Sequence, residues 1–194
     1  PPPPPPRAAP PSARSGRRAG RMTAAVRACR ACIGLGANLG QPQATLRRAA
    51  AALGGLPDTR LLALSRFYRT PAWGRLDQPD FVNAAALLQT RLAPGALLEA
   101  LLRSERAAGR ERRPDSRWGP RVLDLDLLLY DGQVVDLPGL RVPHPHLHER
   151  AFALVPLAEI AAAEPFPGHG TVAGALRRID SGGVEMLDAA AGMD

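Results

Sequence analysis

Two aspartates, Asp124 and Asp126, alternate with leucines in an apolar stretch of the chain, a pattern that could do chemistry. Successive side chains of a strand point to opposite faces, so both carboxylates would lie on one face, about 7 Å apart. Two negative charges in this apolar setting repel each other and are costly to desolvate. A hard divalent cation removes both penalties, and Mg²⁺ typically binds one or two carboxylates plus substrate phosphates. The pattern therefore predicts a magnesium site on a strand.

Arginines cluster just before this strand, and their planar, permanently charged guanidinium groups suit phosphate oxygens. They are Arg110, Arg112, Arg113, Arg117 and Arg121. Carboxylates that bind metal beside such a cluster indicate phosphoryl or nucleotidyl transfer. A solvated edge strand beside a solvated loop is the alternative interpretation of the same residues.

The elements that must position these residues follow from the apolar periodicity. Strands are predicted over residues 26–35, 60–69, 81–90 and 122–130, and the last turns at Asp131-Gly132 into a hairpin with residues 133–136. Helices are predicted over residues 42–53, 94–109, 151–163 (interrupted at Pro156) and 171–179. Strands mixed with helices, including a hairpin, favour an α+β sandwich.

Three further side chains fall at informative positions on these elements. Glu105 follows Leu101 by four residues, so its carboxylate lies on or beside the buried stripe of its helix, although an exposed charge is equally compatible. Phe81 and Asn83 share one face of their strand, which sets an aromatic plate beside an amide that both donates and accepts hydrogen bonds.

The net charge of +7 suggests nucleic-acid binding, but its distribution argues against it. All 25 cations are arginine, and seven of them lie within the first 30 residues, before any acidic residue. The remaining 25 − 7 = 18 arginines match 18 acidic residues, so the rest of the chain is formally neutral. No apolar run approaches the roughly 20 residues of a membrane span. We therefore expect neither a nucleic-acid nor a membrane partner.

The composition also predicts how the chain is divided. Residues 1–21 are rich in proline and arginine and are expected to form a disordered tail, residues 22–180 a single domain, and residues 181–194 a C-terminal tail. The first segment is interpreted as an over-extended gene start, a linker from a fusion or a transit peptide. Cys29 and Cys32 lack the partners of a zinc site, and two unpaired thiols suit a reducing cytoplasm.

Five motifs together carry a family resemblance: GLGANLG, FYRTP, DQPDFVNA, RWGPRVLDLD and VPH, at residues 34–40, 67–71, 77–84, 117–126 and 142–144. In this order, between about residues 31 and 163, they resemble 6-hydroxymethyl-7,8-dihydropterin pyrophosphokinase, an enzyme of folate biosynthesis. The resemblance implies a ferredoxin-like α+β sandwich with a mainly antiparallel sheet. It also implies a monomer, or part of a fusion with another folate enzyme, that uses ATP and Mg²⁺ to transfer diphosphate intact to the pterin hydroxymethyl group, leaving AMP.

The resemblance further implies roles for individual residues. Asp124 and Asp126 resemble ligands of two magnesium ions. Residues that resemble contacts to ATP, with Arg110 and Arg121 also catalytic, are Glu105, Arg110, Arg117, Trp118, Arg121, Leu127, His144 and Arg150. Residues that resemble the pterin site, with Phe81 and Phe152 as an aromatic sandwich and Trp73 and Trp118 as lids, are Gly36, Thr70, Pro71, Trp73, Phe81, Asn83, Trp118 and Phe152. Residues 71–80 and 110–121 are expected to act as lids.

The sequence departs from the family pattern near the nucleotide contacts. Gly139 and Arg141 stand where a basic residue and a hydroxyl are expected, and Pro145 follows His144. The arginine loop is one residue longer, so either Arg112 or Arg113 takes the lid role. Two alternatives are a two-metal nucleotidyltransferase, which predicts a basic body, and a non-enzymatic nucleic-acid-binding protein that depends on residues 1–30.

Overall fold

A mainly antiparallel sheet with helices on both faces makes up the fold. The computed structural model describes residues 27–72, 77–110 and 119–188. The strands are β1 Cys29–Ala37, β2 Thr59–Leu64, β3 Tyr68–Thr70, β4 Phe81–Thr90, β5 Asp124–Tyr130, β6 Val135–Leu137, β7 Leu140–Val142, β8 Pro165–Phe166, β9 Gly170–Thr171 and β10 Glu185–Met186. The helices are α1 Pro42–Gly54, α2 Pro94–Ala107, α3 Ala151–Ala161 and α4 Val172–Leu176, with a 3₁₀ turn at Leu147–Glu149.

Strand β1 lies inside the main sheet, whose order is β10-β3-β4-β1-β5, with β2 pairing the far half of β4. Both neighbours of β1 run antiparallel to it. Its apolar sequence, with glycine at two alternate positions, suits a strand that is paired on both sides and covered on both faces.

The two faces of the sheet are covered by different helices. Ile33, Leu35 and Leu125 point to the face that packs against α1 and α2. Cys32 and Leu128 lie in the core on the opposite face, with α3 and α4. Alternation along the strands therefore places the side chains of Asp124 and Asp126 on the α3 face and the leucines between them on the α1–α2 face.

The helices α1 and α2 begin where the sequence predicts. Each has proline in its first turn, where the missing N–H costs no helical hydrogen bond. Leu97, Leu101 and Glu105 are buried along one side of α2 at four-residue spacing. Glu105 is thus part of the buried stripe, although it is an acid.

The single strand predicted over residues 60–69 is wrong, because β2 and β3 are separate. At Ser65 the chain leaves the regular ladder: its N–H donates to the carbonyl of Ala85 at 2.9 Å, and its hydroxyl accepts the N–H of Ala85 at 2.9 Å. The register with β4 also shifts between Leu61 and Ala63. An irregularity of this kind bends an edge strand and is invisible in an alternating pattern.

The predicted pairing of residues 133–136 with β5 is also wrong. The turn itself forms, since Asp131 and Gly132 have φ of 50° and 66° and the N–H of Gln133 donates to the carbonyl of Tyr130 at 2.9 Å. Beyond it, however, β6 pairs with β7. On the side of β5 away from β1, the carbonyl of Leu128 accepts the N–H of His144 at 2.9 Å instead.

Two further predictions need correction. Helix α3 continues through Pro156, which is buried in its second turn, so the helix loses one hydrogen bond without being interrupted. Residues 181–188 are not a frayed tail, because β10 pairs with β3. The predicted N-terminal tail at residues 1–21, the first residues of the predicted domain (22–26) and residues 189–194 lie outside the described residues. Within the described part of the chain, no helix has the length and apolarity to cross a membrane.

Candidate active site

Three strands meet in register at the floor of the candidate site. Gly36 of β1 pairs with Asn83 of β4 on one side and with Asp124 of β5 on the other. Two residues earlier on β1, Gly34 pairs with Asp126. Each predicted metal ligand therefore has a glycine beside it on the central strand.

The glycines keep this floor open. A Cβ atom on Gly36 would lie 3.2 Å from Oδ1 of Asn83 and 3.9 Å from Cβ of Asp124. A Cβ atom on Gly34 would lie 3.3 Å from Cδ1 of Leu128. Any side chain here would crowd the groups on either side, so the strand brings its backbone close to whatever occupies the cavity.

Two arginines converge on Asp124. The guanidinium groups of Arg110 and Arg121 donate to Oδ1 and Oδ2 of Asp124, respectively. Burial alone would raise the pKa of Asp124, but the positive charges of Arg121 and Arg110 and their hydrogen bonds outweigh it and hold this pKa below its usual range. Asp124 is thus ionised at neutral pH with both oxygens engaged by arginine.

Glu105 lies behind this group rather than in the cavity. It is 1% exposed, and its Oε1 accepts hydrogen bonds from Arg110 and, at 2.8 Å, from the backbone N–H of Leu125. The structure therefore places Glu105 where it can orient Arg110 and the start of β5, whereas the family resemblance implied a contact to ATP.

Asp126 is in the opposite electrostatic situation. Desolvation, followed by the negative charge of Asp124, raises its pKa to about 6, although Arg150 lowers it in part. The nearest guanidinium nitrogen of Arg150 is 3.8 Å from Oδ2 of Asp126. Arg150 therefore balances the charge of Asp126 only in part, and a cation would supply the rest.

His144 stands at the edge of the cavity. Desolvation and the charge of Arg150 lower the pKa of His144 to about 4, so the imidazole is neutral at neutral pH. Its Nδ1 accepts the N–H of His146 at 3.3 Å, and its Nε2 lies 3.5 Å from Arg150. An imidazole held in this way can offer an N–H at Nε2 to an oxygen ligand.

Aromatic and amide groups form the other end of the cavity. Phe81, at the start of β4, and Phe152, on α3, both line it. Nδ2 of Asn83 donates to Oγ1 of Thr70 at 2.8 Å, and the guanidinium of Arg150 lies 5.7 Å from the centroid of the Phe152 ring. Two ring faces with an amide between them suit a flat, polar heterocycle.

The cavity has a volume of about 370 Å³ and includes most of the residues that the sequence singled out. Those that line it are Gly36, Thr70, Pro71, Phe81, Asn83, Arg110, Arg121, Asp124, Asp126, His144, Arg150 and Phe152. Five of the named residues lie outside the described part of the chain, together with residues 73–76 of the first proposed lid and 111–118 of the second: Trp73, Arg112, Arg113, Arg117 and Trp118.

A second cavity of about 700 Å³ adjoins the first and shares Asp126, His144 and Pro145 with it. Leu127 lines this second cavity, not the first. Its other walls come from α2 and the β6–β7 hairpin: Leu98, Leu102, Leu125, Asp136, Leu137, Pro138, Gly139, Leu140 and Arg141. The family resemblance had implied nucleotide contacts at Leu127, at His144 and near Gly139 and Arg141, and all four line this cavity. The leucines of α2 and β7 that complete its walls were not predicted.

The metal-binding side chains that β5 contributes to the cavity are the carboxylates of Asp124 and Asp126, both hard oxygen ligands. Among the described residues, no cluster of three or more histidine, cysteine, aspartate or glutamate side chains could hold a metal ion. Asp124 and Asp126 nevertheless fit Mg²⁺, since this ion is usually held by one or two carboxylates and completes its shell with water and substrate phosphates.

Phosphate-binding cations at one end of a cavity and aromatic walls at the other are typical of enzymes that transfer phosphorus-containing groups to small acceptors, and the chain is a transferase of this class. The model of the 7,8-dihydro-6-hydroxymethylpterin-pyrophosphokinase (HPPK) family matches residues 32–162. The chain belongs to this family.

Curated relatives agree with this assignment, and those below are named 2-amino-4-hydroxy-6-hydroxymethyldihydropteridine pyrophosphokinase. The protein from Methylorubrum extorquens is 46% identical over 159 residues, which cover 82% of this chain and 99% of the relative. The protein from Pseudomonas aeruginosa is 50% identical over 132 residues, which cover 68% of this chain and 80% of the relative.

Solved structures show the same fold. Wild-type Plasmodium falciparum HPPK-DHPS superposes with a TM-score of 0.60 at 12% identity, covering 80% of this chain and 42% of that chain. A structure of HPPK-DHPS in complex with substrates gives a TM-score of 0.58 at 12% identity, and the match covers 78% of this chain and 43% of that chain. This chain thus spans less than half the length of those proteins. The predicted ferredoxin-like α+β sandwich is confirmed.

Proposed function

We propose that this chain carries out its family's reaction in the cavity above β1, with Mg²⁺ as the cofactor. The family transfers a pyrophosphoryl group from ATP to hydroxymethyldihydropterin in folate biosynthesis. The observation that carries the proposal is that β5 with its two aspartates and β4 with Phe81 and Asn83 flank Gly36 of β1 on opposite sides. All of these residues line one cavity, together with the arginines and Phe152. A phosphate chain and a flat acceptor would meet between them.

The adjoining cavity is proposed to hold the adenosine of ATP. Its walls are largely leucine, and it opens onto the first cavity at Asp126 and His144. A triphosphate that enters there would pass His144 and Arg150 before it reaches Arg121. Leu127 would then contact the nucleoside, whereas Glu105 would act through Arg110.

The two aspartates are proposed to hold two magnesium ions. When bound, the metal neutralises phosphate charge and polarises the transferring group. Asp124 is already ionised through its arginine partners, and Asp126 carries a charge that Arg150 compensates only in part, which favours a cation. Their positions across from Gly34 and Gly36 leave the floor clear for this purpose.

Other side chains would position the reactants and shield them from water. Arg110 and Arg121 lie where negative charge develops as the diphosphate moves, and preorganised charge of this kind is a large part of catalysis by such enzymes. Phe81 and Phe152 would hold the ring, with Asn83, Thr70 and the backbone near Pro71 at its polar edge. Proximity and orientation then favour attack by the acceptor hydroxyl.

The decisive experiment resolves the nucleotide products of purified protein with ATP and Mg²⁺, with and without the reduced pterin. Attack at the β-phosphorus yields AMP and a pterin diphosphate, and both must depend on the pterin. ADP as the product would indicate an ordinary kinase. Free pyrophosphate would indicate a nucleotidyltransferase, and either result contradicts the proposal.

Three other expectations stay predictions: a monomer or part of a larger folate enzyme, a cytoplasmic location, and a catalytic domain that begins at residue 22. Its predicted end at residue 180 is too early, since β10 pairs with β3. The solved neighbours are named HPPK-DHPS, which supports the expectation that this chain is part of a larger folate enzyme. Size-exclusion chromatography with light scattering would measure the oligomeric state directly.

A further inference from the structure

Asn38, the residue that follows β1, joins two segments that reach the cavity from different parts of the chain. It is buried, with 4% of its surface exposed. It belongs to the glycine-rich motif at residues 34–40, in which no role was assigned to it. Its backbone and side chain make hydrogen bonds to Arg121 on one side and to Gln78 and Pro79 on the other.

On the first side, Asn38 holds the backbone of Arg121 at both of its polar groups. The N–H of Arg121 donates to Oδ1 of Asn38 at 2.7 Å, and the carbonyl of Arg121 accepts the N–H of Asn38 at 3.0 Å. The guanidinium of Arg121 then reaches Asp124. Since Arg121 lies in neither a strand nor a helix, three residues before β5, these bonds fix where its side chain begins.

On the second side, Asn38 holds the approach to β4. Its Nδ2 donates to the carbonyl of Pro79 at 3.0 Å and to Oε1 of Gln78 at 3.1 Å. Phe81, two residues beyond Pro79, begins β4 and lines the aromatic end of the cavity. The position of this ring therefore depends on the same amide that holds Arg121.

Asparagine is well suited to this place, because a short amide offers two donors and an acceptor at one branch point. We propose that Asn38 is a positioning residue that sets the distance between the arginine end and the aromatic end of the cavity. The inference rests on the proposed function, in which the phosphate chain and the acceptor meet between these ends.

Two variants separate the two sides. Asn38→Ala removes the side-chain hydrogen bonds on both sides. We therefore expect kcat to fall about tenfold and the KM for pterin to rise about tenfold, the size of effect that follows from losing one buried hydrogen bond at each end. Asn38→Asp keeps an acceptor for Arg121 but sets a carboxylate against the Pro79 carbonyl. At pH 8 we expect it to raise the KM for pterin similarly while kcat stays within about twofold of wild type.

Thr90→Val is the matched control. Thr90 is fully buried, and its hydroxyl lies 2.7 Å from that of Thr59 at the end of β4 remote from Phe81. It should lower Tm without changing kcat or KM. If Asn38→Ala behaves like this control, or if Asn38→Asp loses as much kcat as Asn38→Ala, the positioning role is wrong.

A separate measurement keeps this inference distinct from the proposed function. Wild-type protein that forms no pterin-dependent AMP would contradict the proposed function alone. Hydrogen exchange at the Arg121 amide then tests Asn38 without turnover: protection should be lost in Asn38→Ala and kept in Asn38→Asp. Equal protection in wild type and Asn38→Ala would show that Asn38 does not hold Arg121.

Discussion

The backbone N–H of Leu125 donates a 2.8 Å hydrogen bond to Oε1 of Glu105, and this bond ties helix α2 to the strand that carries both aspartates. The same oxygen accepts Arg110, which in turn donates to Asp124. A buried acid that faces away from the cavity therefore supports a cation that lines it. We therefore expect Glu105 to influence phosphate binding through its neighbours.

Replacing Glu105 tests this arrangement. Glu105→Gln can still accept the Leu125 N–H but loses the charge opposite Arg110, so we expect kcat to fall about tenfold with little change in fold. Glu105→Ala also leaves a buried donor unpaired and should destabilise the protein by about 3 kcal/mol. Stopped-flow kinetics and urea unfolding measure the two effects. Wild-type kinetics in Glu105→Gln would show that Arg110 needs no such support.

The substitutions Asp124→Asn and Asp126→Asn should both abolish turnover, but they should shift the stability of the protein in opposite directions. The pKa of Asp124 is lowered in the folded protein, so its ionised form stabilises the fold at pH values above 3.8, the ordinary pKa of an aspartate. Asp124→Asn should therefore lower Tm by about 5 °C at pH 8. The pKa of Asp126, raised to about 6, means that its stabilising contribution is lost as pH rises through 6. Asp126→Asn should therefore raise Tm by about 2 °C at pH 8.

Thermal scans in EDTA at pH 8 and pH 4 check these signs. The gain from Asp126→Asn should disappear at pH 4, where wild-type Asp126 is already protonated in the folded protein. A fall in Tm for both variants at pH 8 would mean that Asp126 is stabilised by partners, contrary to its electrostatic setting.

Metal binding should release a proton at acidic pH. Since the pKa of Asp126 is about 6, Mg²⁺ must displace a proton from this carboxyl at pH 5.5 but not at pH 8. Calorimetric titration of the protein and ATP with Mg²⁺, in two buffers of different ionisation enthalpy, counts the protons released. The same titration of ATP without protein is subtracted. Equal counts at both pH values would exclude Asp126 as the titrating ligand.

Gly36→Ala tests the open floor. The new Cβ would lie 3.2 Å from Oδ1 of Asn83, so this amide must shift and the KM for pterin should rise about tenfold. Gly95→Ala is the control, because a Cβ there meets no atom within 4 Å and Gly95 lies in the first turn of α2. Steady-state kinetics should show wild-type constants for Gly95→Ala. Unchanged pterin KM in Gly36→Ala would show that Asn83 can yield without loss.

The predictable parts of this protein were those governed by local periodicity. Alternation along β5 placed Asp124 and Asp126 on one face, and the same rule placed Phe81 beside Asn83. The helical spacing put Glu105 on or beside the buried stripe, but only the packed structure shows that it is buried, since Arg110 and the Leu125 N–H offset its charge. The roles of individual side chains came from the family motifs.

Other features depend on contacts between distant segments and leave no local pattern. The break at Ser65 follows from its bonds to Ala85 on another strand. Residues 133–136 do not pair with β5, because the outer edge of β5 is bonded to His144, which comes from another segment of the chain. The position of Asn38 between two loops is likewise a property of the tertiary structure.

The placement of β1 between β4 and β5 also bears on which strands around the cavity unfold locally most easily. Gly36 and Asn83 lie on strands that are hydrogen-bonded on both sides near the cavity, whereas β5 ends the main sheet and its outer edge carries the single described backbone bond from His144. Amide protons at sheet edges exchange through small openings, and those inside exchange through global unfolding. We therefore expect amide exchange to be slower around Gly36 and Asn83 than along the outer edge of β5, the strand that carries the two carboxylates.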